Sequence, residues 1–171
     1  MKFLVTGGAG FIGSHIVEKL LSTEGRSASG GKEGHFVRVL DNFSSGKREN
    51  IEAARHSEPE GRRISSPVSL RGTVGAEAIS TNFELLEGDI RDPETCARAV
   101  KGVDHVLHEA ALASVVRSVE DPLLTNAINV TGTLNMLLAA RDAGVKSFVL
   151  ASSSAVYGDD PAMPKVEGRE G

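Results

Sequence analysis

The run FLVTGGAGFIGSH at 3–15 constrains the fold more than any other part of this chain. The apolar residues before the glycines read as a strand over Lys2–Thr6. After them Ile12, Ile16 and Leu20 recur four apart, with Val17 and Leu21 beside them, which makes one apolar stripe of a helix over Phe11–Leu21. Between strand and helix, Gly7, Gly10 and Gly13 stand at G-x-x-G-x-x-G spacing. In that context each glycine has a mechanical task. Gly7 makes the tight turn, Gly10 lets backbone approach a pyrophosphate, and Gly13 lets the helix sit close to the strand. The helix N-terminus adds unpaired N–H groups and partial positive charge, so the segment points to a dinucleotide.

The alternation continues along the chain. Phe36–Leu40, Phe83–Glu87, Val103–Leu107 and Ser147–Ala151 are short and largely apolar, as buried parallel strands are. Asp121–Ala143 holds Leu124, Ile128, Leu134, Leu137 and Leu138 and reads as the longest helix, with Gly144 placed to cap it. The pattern predicts an α/β fold: a Rossmann-like parallel sheet of about five strands, order 3-2-1-4-5, with helices on both faces, in one domain over 1–171. Two polar stretches rich in Ser, Gly and Arg, 22–34 and 55–82, break the rhythm and read as surface insertions around the second strand.

Composition excludes several function classes. The chain has 171 residues, 40% of them hydrophobic, enough to bury a core. Its 19 basic and 23 acidic residues give a net charge of -4 and no basic block, so nucleic acid is not an expected partner. No apolar run reaches the roughly 18 residues of a membrane span, and MKFLVTGGAG is too short and glycine-rich for a signal peptide. The single cysteine, Cys96, excludes an internal disulfide and reads as a small buried helix residue. A cytoplasmic protein without a metal site is expected.

Strand ends carry the candidate ligand contacts. Asp41 closes the second strand, where a carboxylate accepts the adenosine ribose hydroxyls and repels a 2′-phosphate, favouring NAD over NADP. Lys47 and Arg48 nearby weaken that discrimination by attracting phosphate. Asp89 and Ile90 end the third strand where an adenine would lie, the carboxylate toward its amino group and Ile90 on its ring. Asp92, just before Pro93, reads as a helix N-cap. Ala110 and Ala111 are small enough for a cofactor to pass, and the flanking His105 and His108 read as structural.

The segments TGGAGFIGSH, LDNFSSGKREN, EGDIRD, HEAALASVVRSVEDP, NVTGTLNML and SSSAVYGD occur in one order. In them the chain resembles the extended short-chain dehydrogenase/reductase family, most of all its NAD-dependent epimerase/dehydratase branch and the UDP-glucose 4-epimerase-like type. The resemblance covers most of the chain outside the two insertions. It implies NAD as cofactor and a nucleotide sugar as substrate, with hydride removed from a sugar carbon and returned to it. It also implies Phe11 and Ile12 at the pyrophosphate, Asp41 and Asn42 at the ribose, and Asp89 and Ile90 at the adenine. Ala110, Ala111 and Asn129 would line the cofactor path. Ser153 matches the residue that hydrogen-bonds the reacting hydroxyl, and a serine there, with no acidic pair beside it, leans toward epimerase over dehydratase. A decarboxylase of the same branch would share the rest.

In that family a tyrosine base and a lysine four residues later share one helix face. The one tyrosine here, Tyr157, is followed four residues on by Pro161 in a GDDP turn, so it is not that base. The expectation is an amino-terminal part without the later strands or the substrate domain. Part of a sheet face and of the 121–143 helix would then be uncovered, inviting a homodimer or a second polypeptide. Two functional readings follow: the NAD-binding part of a nucleotide-sugar epimerase, or a non-catalytic NAD-binding fragment or split-enzyme subunit. Asp41 opposes a third, an NADP-dependent reductase.

Overall fold

The computed structural model describes residues 1–22, 24–26, 32–56 and 82–169. Strand β1 (Lys2–Thr6) enters α1 (Phe11–Ser22), and β2 (Glu24–Arg26) pairs antiparallel with β3 (Lys32–Gly34). Next come β4 (Phe36–Asp41), α2 (Arg48–His56), β5 (Phe83–Glu87), α3 (Pro93–Val100) and β6 (His105–His108). The chain then forms α4 (Val115–Glu120), α5 (Pro122–Asn126), a π-helical turn at Ala127–Gly132, α6 (Thr133–Asp142) and β7 (Ser147–Leu150). Five strands make one parallel sheet in the order β5-β4-β1-β6-β7, which in chain order is the expected 3-2-1-4-5.

Side-chain alternation along the strands divides the interior in two. On one face Leu4, Leu40 and Val106 pack with Cys96, Ala99 and Val100 of α3 and Met136 and Ala140 of α6. On the other, Val5, Val37 and Val39 meet Val17 and Leu21 of α1 and Ile51 of α2. Arg38 ties the first layer down, its Nη1 donating to the carbonyls of Ala99 at 2.6 Å and Lys101 at 2.9 Å. Asp92 caps α3 as its position before Pro93 suggests, accepting from the amides of Glu94 and Thr95. Cys96 is fully buried, and burial pushes its thiol up to about 11, which makes it core and not a nucleophile.

Several boundaries differ from the sequence reading. The fourth sheet strand starts at His105 because the Val103 amide closes the turn after α3 onto Val100 O, 3.1 Å away. The region 121–143 is not one regular α-helix: Asp121 is the N-cap, and the π turn interrupts the helical run. Gly144 ends that run at φ 68°. The stretch 22–34 holds the end of α1 and the β2–β3 pair; residues 57–81 of the second insertion lie outside the described residues. Pro122–Asp142 is long and apolar enough to cross a membrane by length and composition, which the sequence reading missed. Here one side of it packs on the sheet through Met136 and Ala140, while Leu134 and, on β7, Val149 and Leu150 stay about half exposed.

His108 is a structural group. Its imidazole is buried, with Nδ1 2.8 Å from Thr6 Oγ1 and Nε2 3.1 Å from Thr133 Oγ1, and a neutral ring satisfies both. Burial lowers its pKa from 6.5 to about 4. Below pH 6.5 the unfolded chain takes up a proton that the folded one refuses. The contribution is therefore complete above 6.5 and is lost as the pH falls toward 4, by roughly 3 kcal/mol in all. Urea unfolding of the parent and of His108→Gln, near pH 7 and near pH 5, should show the steeper loss in the parent; equal losses would show that the ring does not couple to folding.

Candidate functional site

The carboxyl ends of β1, β4, β5 and β6 open on a cleft of about 320 Å³. It lies where the connections from β1 and from its neighbours leave the sheet in opposite directions, the crevice in which α/β sheets bind ligands. The glycine loop forms its floor. Gly7 has φ 67°, and a Cβ there would lie 2.7 Å from the Ala110 amide nitrogen. A Cβ on Gly13 would lie 2.2 Å from Gly7 O, so only glycine lets α1 start this close to β1. Gly10 is looser: its Cβ would meet only Gly7 O, at 3.2 Å. The first amides of α1, at Phe11, Ile12 and Gly13, have no acceptor within the helix and line the cleft.

Asp41 is buried at the end of β4. Its Oδ2 accepts from the Ala9 amide at 2.9 Å and its Oδ1 from the Phe43 amide at 2.8 Å. A carboxylate has about four acceptor positions, so two remain for a ligand's hydroxyls. The same residue thus holds the glycine loop and faces the cleft. Asn42 Nδ2 donates to Asp89 Oδ2 at 2.9 Å. Asp89 also receives the Arg91 amide, Nε and Nη2, and the Arg91 hydrogen bonds hold its carboxyl down at about 2. Four donors fill it, so an adenine amino group must displace one of them to reach it. Ile90 is nearly buried against the long helix, where Gly132 leaves room; a Cβ there would lie 2.7 Å from Ile90 Cδ1.

Of the residues singled out in the sequence, Gly7, Gly10, Phe11, Ile12, Gly13, Asp41, Asn42, Asp89, Ile90, Ala110 and Ala111 line this one cleft. Asn129 is not part of its lining. Its side chain accepts from the Leu112 amide at 2.8 Å and donates to Leu112 O at 3.1 Å. It therefore pins the wall of which Ala110, Ala111 and Leu112 are part. Ser153 sits after β7, its hydroxyl accepting from the Ala155 amide at 3.2 Å, outside the lining. Tyr157 ends a 3-10 turn followed by Gly158 at φ 54°, which bears out the turn. The sequence reading missed Ser44, Ser45 and Gly46, which also line the cleft; a Cβ on Gly46 would lie 2.7 Å from Ala9 Cβ. The Ser-Ser-Gly after Asp41-Asn42 was the available signal. Among the described residues no cluster of three or more His, Cys, Asp or Glu could hold a metal.

Residues 3–170 match the model of the NAD dependent epimerase/dehydratase family. The chain belongs to that family. It is 38% identical to a UDP-glucose 4-epimerase of Klebsiella pneumoniae over 98% of this chain and 99% of that one. It is 37% identical to a UDP-glucose 4-epimerase of Mycolicibacterium smegmatis, again over 98% of this chain but only 44% of the relative. A crystal structure of the Thermus thermophilus UDP-glucose 4-epimerase in complex with NAD superposes with a TM-score of 0.67 at 40% identity, covering 98% of this chain and 43% of that one. The chain thus spans less than half the length of two of these three family members.

The Asn129 arrangement carries a prediction. Asn129→Leu keeps the side chain's bulk but removes two hydrogen bonds, and should cost roughly 2 kcal/mol in urea unfolding. Hydrogen exchange at the Leu112 amide should accelerate. Unchanged protection at Leu112 would mean that the wall is held by something else.

Proposed function

We propose that the cleft holds NAD and that this chain supplies the cofactor-binding part of a nucleotide-sugar epimerase of the UDP-glucose 4-epimerase type. The observation that carries the reading is the glycine floor: Gly7 and Gly13 bring the first amides of α1 to the edge of the sheet, beside a buried carboxylate with free acceptor positions. These residues fit the group. The amides of Phe11 and Ile12 would meet the pyrophosphate, Asp41 and Asn42 the adenosine ribose, and Ile90 the adenine, with Ala110 and Ala111 leaving room along the path. Bound NAD supplies the acceptance and return of hydride at the sugar carbon. Ser153, on the same sheet edge, would hydrogen-bond the reacting hydroxyl. The half-exposed apolar residues of β7 and α6 support a homodimer or a second polypeptide as partner. The cytoplasm is the proposed location, in keeping with one buried reduced cysteine.

A second reading, NAD binding without turnover, has its own support. Tyr157 is the one tyrosine in this sequence, and the position four residues later is Pro161, which does not continue a helix from Tyr157. Binding and turnover are therefore measured separately. In calorimetric titration the chain should bind NAD more tightly than NADP. Asp41→Ala should abolish the preference while also loosening the Ala9 loop. Gly10→Ala is the cleaner variant: its single tight contact leaves the fold intact, while the added methyl weakens NAD by more than about tenfold. A folded chain that takes up neither cofactor, or both equally, contradicts the NAD reading. Conversion of UDP-glucose by the NAD-loaded chain alone would reject the reading without turnover.

A further inference from the structure

Resting on the reading of the cleft as an NAD site, we propose that Glu87 sets the preference for NAD over NADP by keeping Arg48 from the ribose. A basic side chain near the ribose carboxylate is what accommodates a 2′-phosphate, and a guanidinium does so with two parallel hydrogen bonds. Arg48 is the basic residue considered for that role, close in the chain to the cleft wall though not part of its lining. It follows Ser44, Ser45 and Gly46 of the cleft wall by two residues and opens α2.

Its guanidinium is engaged on two sides. Nη2 donates to Glu87 Oε2, and the guanidinium carbon lies 4.2 Å from the centroid of the Phe43 ring. Phe43 is placed for this by a left-handed backbone at φ 56°, with its amide held by Asp41 Oδ1. Glu87 is the direct cross-strand partner of Asp41 in the register of β4 and β5. Their backbones are therefore one strand spacing apart, about 4.8 Å, and their side chains emerge on the same face of the sheet. The guanidinium is thus held toward β5, on Glu87 and the Phe43 ring, with its charge already matched.

The arrangement acts in two steps. Asp41 repels a 2′-phosphate directly, and Glu87 prevents the nearby cation from cancelling that repulsion. Both side chains of the pair are accessible, at 43% for Arg48 and 54% for Glu87, so the hold is modest and its effect on cofactor choice is about fivefold.

The test measures NAD by calorimetry and NADP by competition against NAD, on the parent, Glu87→Gln and the double variant Glu87→Gln/Arg48→Met. Glu87→Gln should tighten NADP about fivefold relative to NAD, with the gain shrinking as salt is raised. The double variant should return the ratio to the parent value or below. An unchanged ratio in Glu87→Gln overturns the proposal, because a pair that only stabilises the fold moves both cofactors together. A gain that survives the loss of Arg48 overturns it too, since removal of a negative charge alone would then explain the result. If the folded parent binds neither cofactor, the reading of the cleft fails; if it binds NAD and the ratio does not move, only the role of Glu87 fails.

Discussion

The approach of α1 to β1 is the constraint on which the rest of the site depends. A helix can begin at the end of a strand this closely only if the two backbones touch, and the absence of side chains at Gly7 and Gly13 permits that contact. Once they touch, the first amides of α1 point out from the sheet's carboxyl edge and the loop between must be fastened. The fastening comes from elsewhere in the chain. Ala9 gives its amide to Asp41, and its carbonyl receives the Lys47 amide at 3.1 Å and Asn50 Nδ2 at 2.8 Å. The glycine loop, the end of β4 and the start of α2 therefore form one hydrogen-bonded unit, although they are far apart in sequence.

The sheet was legible because a strand buried on both faces has to be apolar along its length, as LVT, VRVL and HVLH nearly are. The shorter helices were not. Among the described residues of α2 Ile51 reaches the core, and α4 buries none of its residues, so neither shows a long apolar stripe. The π turn has no local signature at all. It coincides with two tertiary demands: Asn129 must meet the Leu112 backbone, and Gly132 must make room for Ile90. Both partners come from other strands' loops.

At the site, residue types predicted location better than they predicted duty. Asp41 emerged as a cleft residue, but its part in fastening the glycine loop needed the Ala9 amide to be seen beside it. Asn129 was expected along the cofactor path, but its amide meets the Leu112 backbone and holds the wall instead of lining it. The carboxylate of Asp89 looked available in EGDIRD, yet Arg91, two residues away, folds back to occupy it. Electrostatic neighbours of this kind are set by side-chain geometry and by strand register, neither of which composition or spacing encodes.

The π turn has a consequence for how this chain can vary. It contains one residue more than a regular α-helical turn would, and each residue of an α-helix advances the side chains by about 100°. The wider turn takes up that residue by advancing each of its own residues by less, so the residues after Gly132 keep the phase of the helix before it. Deleting one residue from Ala127–Gly132 would make the helix regular and leave Met136 and Ala140 on the sheet, but it would shift the turn's own residues, among them Asn129, which meets the Leu112 backbone, and Gly132, which clears Ile90. The irregularity acts as slack between two halves of one rod, the first serving the wall of the cleft and the second the core. A change of one residue in length here should be felt at the wall and not in the core.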